Sequence, residues 1–146
     1  MRKLKFFSIL ILLISGLTLT NCGKKGCTDG DAKNFCDKCK RDDGTCTFEG
    51  SIVFWYNQST SSFLIGDGAT SLTYYVNGAV VGSSATSVYY GSAPNCGQNA
   101  SITVTKDLGK DKSKSYTYSV KDQTGFEYYS GTVTFKANTC TSYELN

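Results

Sequence analysis

From Phe48 onward the apolar positions recur with a period of two. Ile52, Phe54 and Tyr56 share one face, with Val53 and Trp55 on the other. Leu72, Tyr74 and Val76 alternate with Thr73, Tyr75 and Asn77, and Ile102 and Val104 with Thr103 and Thr105. Tyr116, Tyr118 and Val120 alternate with Ser115, Thr117 and Ser119, and Val133 and Phe135 with Thr132 and Thr134. That period marks half-buried strands. Asn77-Gly78, set between TYYV and AVV, predicts a two-residue hairpin because both residues tolerate positive φ. Loops are expected at residues 57–61, 107–113 and 121–125, and no helical pattern follows the first twenty-one residues.

About eight short strands at this spacing predict an all-β domain over residues 47–146, an Ig-like antiparallel β-sandwich of roughly 7–8 strands. Residues 22–46 carry neither period. The stretch GCTDGDAKNFCDKCKRDDGTCTF has little to bury and needs cross-links to be ordered. It reads as a Cys-rich linker ahead of the sandwich.

The first residues follow a third pattern. Arg2, Lys3 and Lys5 precede an apolar run from Phe6 to Leu19, broken only by Ser8, Ser15, Gly16 and Thr18. A basic start followed by a short apolar stretch is a secretory signal peptide, and the run falls short of the roughly 20 residues of a membrane span. Removing residues 1–21 leaves 12 Lys plus Arg against 12 Asp plus Glu. The chain's excess of positive charge thus belongs to the export signal, and nucleic-acid binding loses its compositional argument.

Export changes the meaning of the seven cysteines. Disulfides persist outside the cytoplasm, but an odd count leaves one sulfur over. Setting Cys22 aside leaves Cys27, Cys36, Cys39, Cys46, Cys96 and Cys140, which allow up to three bridges. A bridge between Cys96 and Cys140 would join the loop after Pro94-Asn95 to the last strand. Two metal readings compete for the linker. Cys36 and Cys39 form a C-x-x-C that Cys27 and Cys46 could complete for zinc, against the oxidising compartment. Asp29, Asp31, Asp42 and Asp43 are weak calcium candidates, with Lys33 standing where an EF-hand loop wants an oxygen donor. Solvated turn aspartates are the simpler reading, and no cofactor is expected.

Three resemblances bear on the address. Leu19-Thr20-Asn21-Cys22 resembles the lipobox of bacterial lipoproteins, although Asn21 departs from the usual Gly, Ala or Ser. The resemblance implies a diacylglycerol on the Cys22 sulfur, cleavage before it and acylation of the new amine. Gly26-Cys27-Thr28-Asp29, then Ala32, Asn34-Phe35 and Asp42-Asp43-Gly44-Thr45-Cys46, is similar to a GCTD…DDGSC motif of exported Gram-negative proteins. That likeness implies a Cys27–Cys46 bridge; Cys36 and Cys39 are additions that could bridge each other or reshuffle the pattern. Residues 103–145 resemble the C-terminal half of small bacterial surface lipoproteins with an Ig-like fold, which carries no catalytic motif. Gly23, following Cys22, is not the aspartate that retains some lipoproteins at the inner membrane, so the resemblance leans toward an outer-membrane or cell-surface location.

Chemistry is sparse. There is no histidine, which removes histidine-based triads, acid/base steps and metal ligands. Between Gly50 and Thr105 the one charged residue is Asp67. Asp122 and Glu127 flank a single loop and are the only candidate carboxylate pair, better read as a solvated hairpin. Catalysis is not expected. Three tyrosine doublets remain, Tyr74-Tyr75, Tyr89-Tyr90 and Tyr128-Tyr129. Adjacent strand residues point to opposite faces, so one member of each should face outward, and Tyr75, Tyr90 and Tyr129 are the candidates. Outward tyrosines among Ser, Thr and Asn suit a glycan or a protein surface, although β-propensity alone explains many strand tyrosines. Lys106, Lys110, Lys112 and Lys114 read as a solvated hairpin tip. The sequence therefore predicts a monomeric, lipid-anchored binding or envelope protein, with a small inhibitor acting through loops 57–61 or 107–113 as the alternative.

Overall fold

The computed structural model describes residues 23–146, so the predicted signal peptide and Cys22 lie outside the described residues. The alternating segments form seven strands in two sheets. β1 (Phe48–Trp55), β4 (Ile102–Gly109) and β7 (Cys140–Glu144) make one sheet, in the order β4-β1-β7. β2 (Ser71–Val76), β3 (Ala79–Ala85), β5 (Ser113–Asp122) and β6 (Glu127–Lys136) make the other, in the order β3-β2-β5-β6. The all-β sandwich predicted by the alternation is what the chain forms. Asn77 and Gly78 close the β2–β3 hairpin at φ 53° and 75°, as their side chains permit.

The inward faces supply one core. Phe54 lies at its centre, its ring 5.5 Å from Tyr118, 5.7 Å from Tyr143 and 6.0 Å from Tyr74. The Tyr118 and Tyr143 hydroxyls meet at 3.1 Å, so the polar ends of two core rings satisfy each other. Ile52, Leu72, Val76, Val120 and Phe135 complete the layer between the sheets, each at most 1% exposed.

Two features depart from the predicted layout. β7 runs parallel to β1, with Ser51 opposite Cys140 and Trp55 opposite Glu144. The cause is the short link Ala137–Thr139, which carries the chain from the end of β6 directly to the start of β1; Asn138 N–H donates to the Glu49 carbonyl at 2.8 Å. Gly50 makes that crossing possible, because a Cβ there would collide with the Lys136 carbonyl. The second departure is α1 (Gln58–Gly66), which stands where the sequence predicts a loop at 57–61. The Asn57 side chain caps it by accepting from Thr60 N–H at 3.0 Å, and Leu64, wholly buried, pegs it to the core. No helix among the described residues is long and apolar enough to cross a membrane.

Residues 23–46 are docked on the sandwich, not held off it. Cys27 and Ala32 are buried in the same core as Phe48. Lys112, in the β4–β5 turn, reaches Asp29 at 2.7 Å and Asp31 at 3.2 Å, and Lys33 reaches Glu49 at 2.7 Å. The Asn34 side chain donates to the Thr45 carbonyl and accepts from Thr47 N–H. Disulfides join Cys27 to Cys46, Cys36 to Cys39 and Cys96 to Cys140. The molecule thus has two poles. β1 leaves the disulfide-tied head at Phe48 and delivers the chain to α1 roughly 25 Å away, at about 3.3 Å per residue.

Candidate functional site

The pole opposite the head carries most of the exposed aromatic surface that the fold holds in place. Leu64, Thr60 and Ser61 bury one face of α1, which leaves Phe63 on the flank of that face, 62% exposed. The β5–β6 turn brings up Phe126, 59% exposed. Between them stands Tyr128, with its ring perpendicular to Phe63 (6.4 Å, 90°) and nearly so to Phe126 (5.0 Å, 77°). Edge-to-face pairs of this kind fix ring orientation as well as adding contact.

Polar bonds lock the cluster. The Tyr128 hydroxyl donates to Asp67, the residue that caps the C-terminus of α1, at 2.6 Å. That bond to a carboxylate pushes the phenol up to about 12, because losing the proton would set two anions against each other. Gln123, in the β5–β6 turn, accepts from Thr70 N–H at 3.0 Å and donates to the Gly68 carbonyl at 3.0 Å. Asp122 organises the turn itself, accepting from the Thr124 hydroxyl and from the N–H groups of Thr124 and Phe126; these bonds hold its carboxyl below the usual range. The result is a rigid aromatic ridge with one carboxylate at its side. Such a surface offers area at low entropic cost, which suits recognition.

The three tyrosines singled out from the doublets lie elsewhere. Tyr75 does face outward from the four-stranded sheet, half-buried, with the Lys121 ammonium 5.8 Å from its ring centre. Tyr129 does not face outward. It pairs with Val120, which pairs with Tyr74, and that row faces the core; burial pushes its phenol up. The outward member is Tyr128, the extra residue of a β-bulge between Glu127 and Tyr129. Tyr89 and Tyr90 lie outside any strand, so alternation does not govern them. Tyr90 is tucked in, its hydroxyl donating to the Asn99 carbonyl at 3.0 Å, while Tyr89 is the more exposed.

The remaining candidates are committed to structural bonds. Asp29 and Asp31 hold Lys112, and Asp42 and Asp43 accept N–H groups of their own turn. No three carboxylate or cysteine side chains converge among the described residues, so the calcium candidates do not form a cage and the four head cysteines form two bridges in place of a zinc site. Asp122 is consumed by its turn, and Glu127 lies 3.8 Å from Lys121. Of the lysine run, Lys112 ties down the head, while Lys106 and Lys114 flank the Tyr116 ring at 5.8 Å each. An open depression of about 280 Å³ lies along Glu49–Ser51 and Asn138–Cys140, but its one charged group is held by Lys33.

Sequence reasoning passed over the ridge because its members come from a helix flank, a turn and a bulge. One signal was available: Phe126-Glu127-Tyr128-Tyr129 is an aromatic cluster beside a turn. Compared with known proteins, the chain matches no family model, no curated protein and no solved structure.

Proposed function

We propose that the protein is a lipid-anchored, non-catalytic lipoprotein of the outer membrane or cell surface. In this reading the acylated Cys22 holds the head pole at the membrane, and the Phe63–Tyr128–Phe126 ridge is presented outward to bind a glycan or protein surface. The observation that carries it is the polarity of the fold. The chain leaves its described N-terminus beside the head, and the aromatic ridge lies at the far end of β1. The lack of histidine, and the use of the Asp122 and Glu127 pair in turn and ion-pair bonds, support the non-catalytic reading.

The inhibitor reading would act through residues 57–61 and 107–113. The first segment is the capped start of α1, and the second lies where Lys112 ties down the head. Both segments are held in place, as such a plug would need, and the first adjoins the ridge.

The test is to grow cells with an alkyne-bearing palmitate analogue. Label should enter the protein in the membrane fraction and vanish in Cys22→Ala, with the protein shifting to the soluble envelope fraction. Unlabelled protein, or label that survives Cys22→Ala, would overturn the anchor. For the ridge, a Phe63→Ala/Phe126→Ala variant should lose retention on isolated envelope material without losing stability. Undiminished retention would remove the ridge from the account.

A further inference from the structure

The charges that are balanced in the chain are not balanced in space. Among the described residues, Lys121 is the one cation at the ridge pole, which also holds Asp67, Asp122, Glu127 and Glu144. The other 11 Lys and Arg residues after Cys22, and the other eight acids, lie in the head or in the strand ends and turns beside it. The formal charge is therefore +3 at the head pole and −3 at the ridge pole.

Within the head the excess is concentrated. A parallel bridge pairs Lys25 with Arg41, Gly26 N–H donates to the Arg41 carbonyl at 3.1 Å, and Lys40 N–H donates to the Lys24 carbonyl at 3.0 Å. The Cys36–Cys39 bridge packs over Gly26, where a Cβ would meet the Cys39 sulfur at 2.5 Å, and so clamps the two segments together. Lys24, Lys25, Lys38, Lys40 and Arg41 are thereby gathered at the point where the chain emerges from Cys22. All five are exposed, and none is ion-paired among the described residues. Asp29 and Asp31 are occupied by Lys112, whereas Asp37, Asp42 and Asp43 are exposed among these cations, Asp43 near enough to Lys25 to have its carboxyl lowered in part by it. Five cations against three acids leave this edge a net charge of +2.

We infer that this disulfide-clamped basic edge is a seat for an anionic membrane surface, binding the phosphate groups of lipid headgroups. The inference rests on the anchored reading, since Cys22 precedes Gly23 and Lys24 in the chain. Its occupant follows from complementarity of charge and from where the chain outside the described residues joins the fold. The seat adds a second membrane signal to the acyl chains and sets orientation: the positive pole is drawn to the surface and the negative ridge pole is turned from it.

The seat is tested without the lipid, so its failure is separate from failure of the anchor. Every core residue and all three bridges lie within residues 27–145, so a chain beginning at Gly23 contains the whole folded unit. That chain should cosediment with vesicles of phosphatidylglycerol and phosphatidylcholine at low salt, and not with phosphatidylcholine alone. At about fivefold per cation near the surface, Lys24→Gln/Lys25→Gln/Lys38→Gln should weaken binding on the order of a hundredfold. Lys121→Gln should leave it unchanged, and added salt should weaken it steeply. No cosedimentation, equal binding to phosphatidylcholine, or full binding by the triple variant would overturn the seat. The palmitate result stands or falls on its own.

Discussion

The Cys96–Cys140 bridge staples the long crossover between β3 and β4 to the edge of β7. Its two cysteines are 44 residues apart in sequence. In the chain-entropy treatment, a loop of that length removes denatured-state freedom equivalent to roughly 4 kcal/mol. Neither cysteine belongs to the core, so replacing both with alanine opens no buried cavity. The start of the crossover is tied through buried Thr86, which donates to the Thr70 and Ala69 carbonyls and accepts from the Ser61 hydroxyl. Beyond it, Tyr90 N–H donates to the Tyr56 carbonyl at 3.0 Å and Gly97 N–H to the Thr103 hydroxyl at 2.9 Å. Cys96→Ala/Cys140→Ala should therefore lose about 4 kcal/mol, close to 15 °C in Tm for a domain of this size. Guanidinium and thermal unfolding followed by circular dichroism would measure it. The matched control is Cys36→Ala/Cys39→Ala, whose cysteines are only three residues apart and restrict the denatured chain far less. Equal losses from the two pairs, or a loss below about 1 kcal/mol from the long one, would refute the reasoning.

Three further outcomes follow from the bonds described. One tyrosine should titrate near 12 by ultraviolet absorbance, because the Tyr128 bond to Asp67 is complete below the ordinary value of 10.0 and is lost as the pH rises through the raised one; Asp67→Asn should bring that transition down. Asp29 is held below its ordinary value of 3.8 by Lys112, so this link between head and body is present above that pH and lost as the pH falls through the depressed value. The protection of residues 28–35 against hydrogen exchange, taken relative to the intrinsic rate at each pH, should fall on acidification, and should already be low at neutral pH in Lys112→Gln. Gly50→Ala should cost about 1–3 kcal/mol through overpacking against the Lys136 carbonyl, measured by chemical denaturation, whereas Gly30→Ala, open to solvent, should cost far less.

Strand alternation carried most of the sandwich, because each strand buries one face and solvates the other. It also held the answer for Tyr129, which has the parity of Val133 and Phe135 along an unbroken β6. The same parity points Tyr128 outward, but the bulge that sets it between Phe63 and Phe126 leaves no sequence mark. Nor was α1: QSTSSFLIG has no apolar stripe, and the helix owes its existence to the Asn57 cap and the burial of Leu64. The parallel pairing of β7 depends on a three-residue link and on close approach at Gly50, which alternation cannot encode. The head's docking was hidden for a different reason. Its contacts are single long-range bonds, Lys112 to Asp29 above all, between segments that each look like solvated turns.

The most direct measurement of the whole account is peptide mass spectrometry of the protein from native membranes, alkylated with and without prior reduction. The account predicts an acylated Cys22 at the N-terminus, with the other six cysteines alkylated only after reduction and cross-linked as 27–46, 36–39 and 96–140. An intact Met1, or freely alkylated thiols among residues 27–46, would contradict export and the anchored, two-pole arrangement built on it.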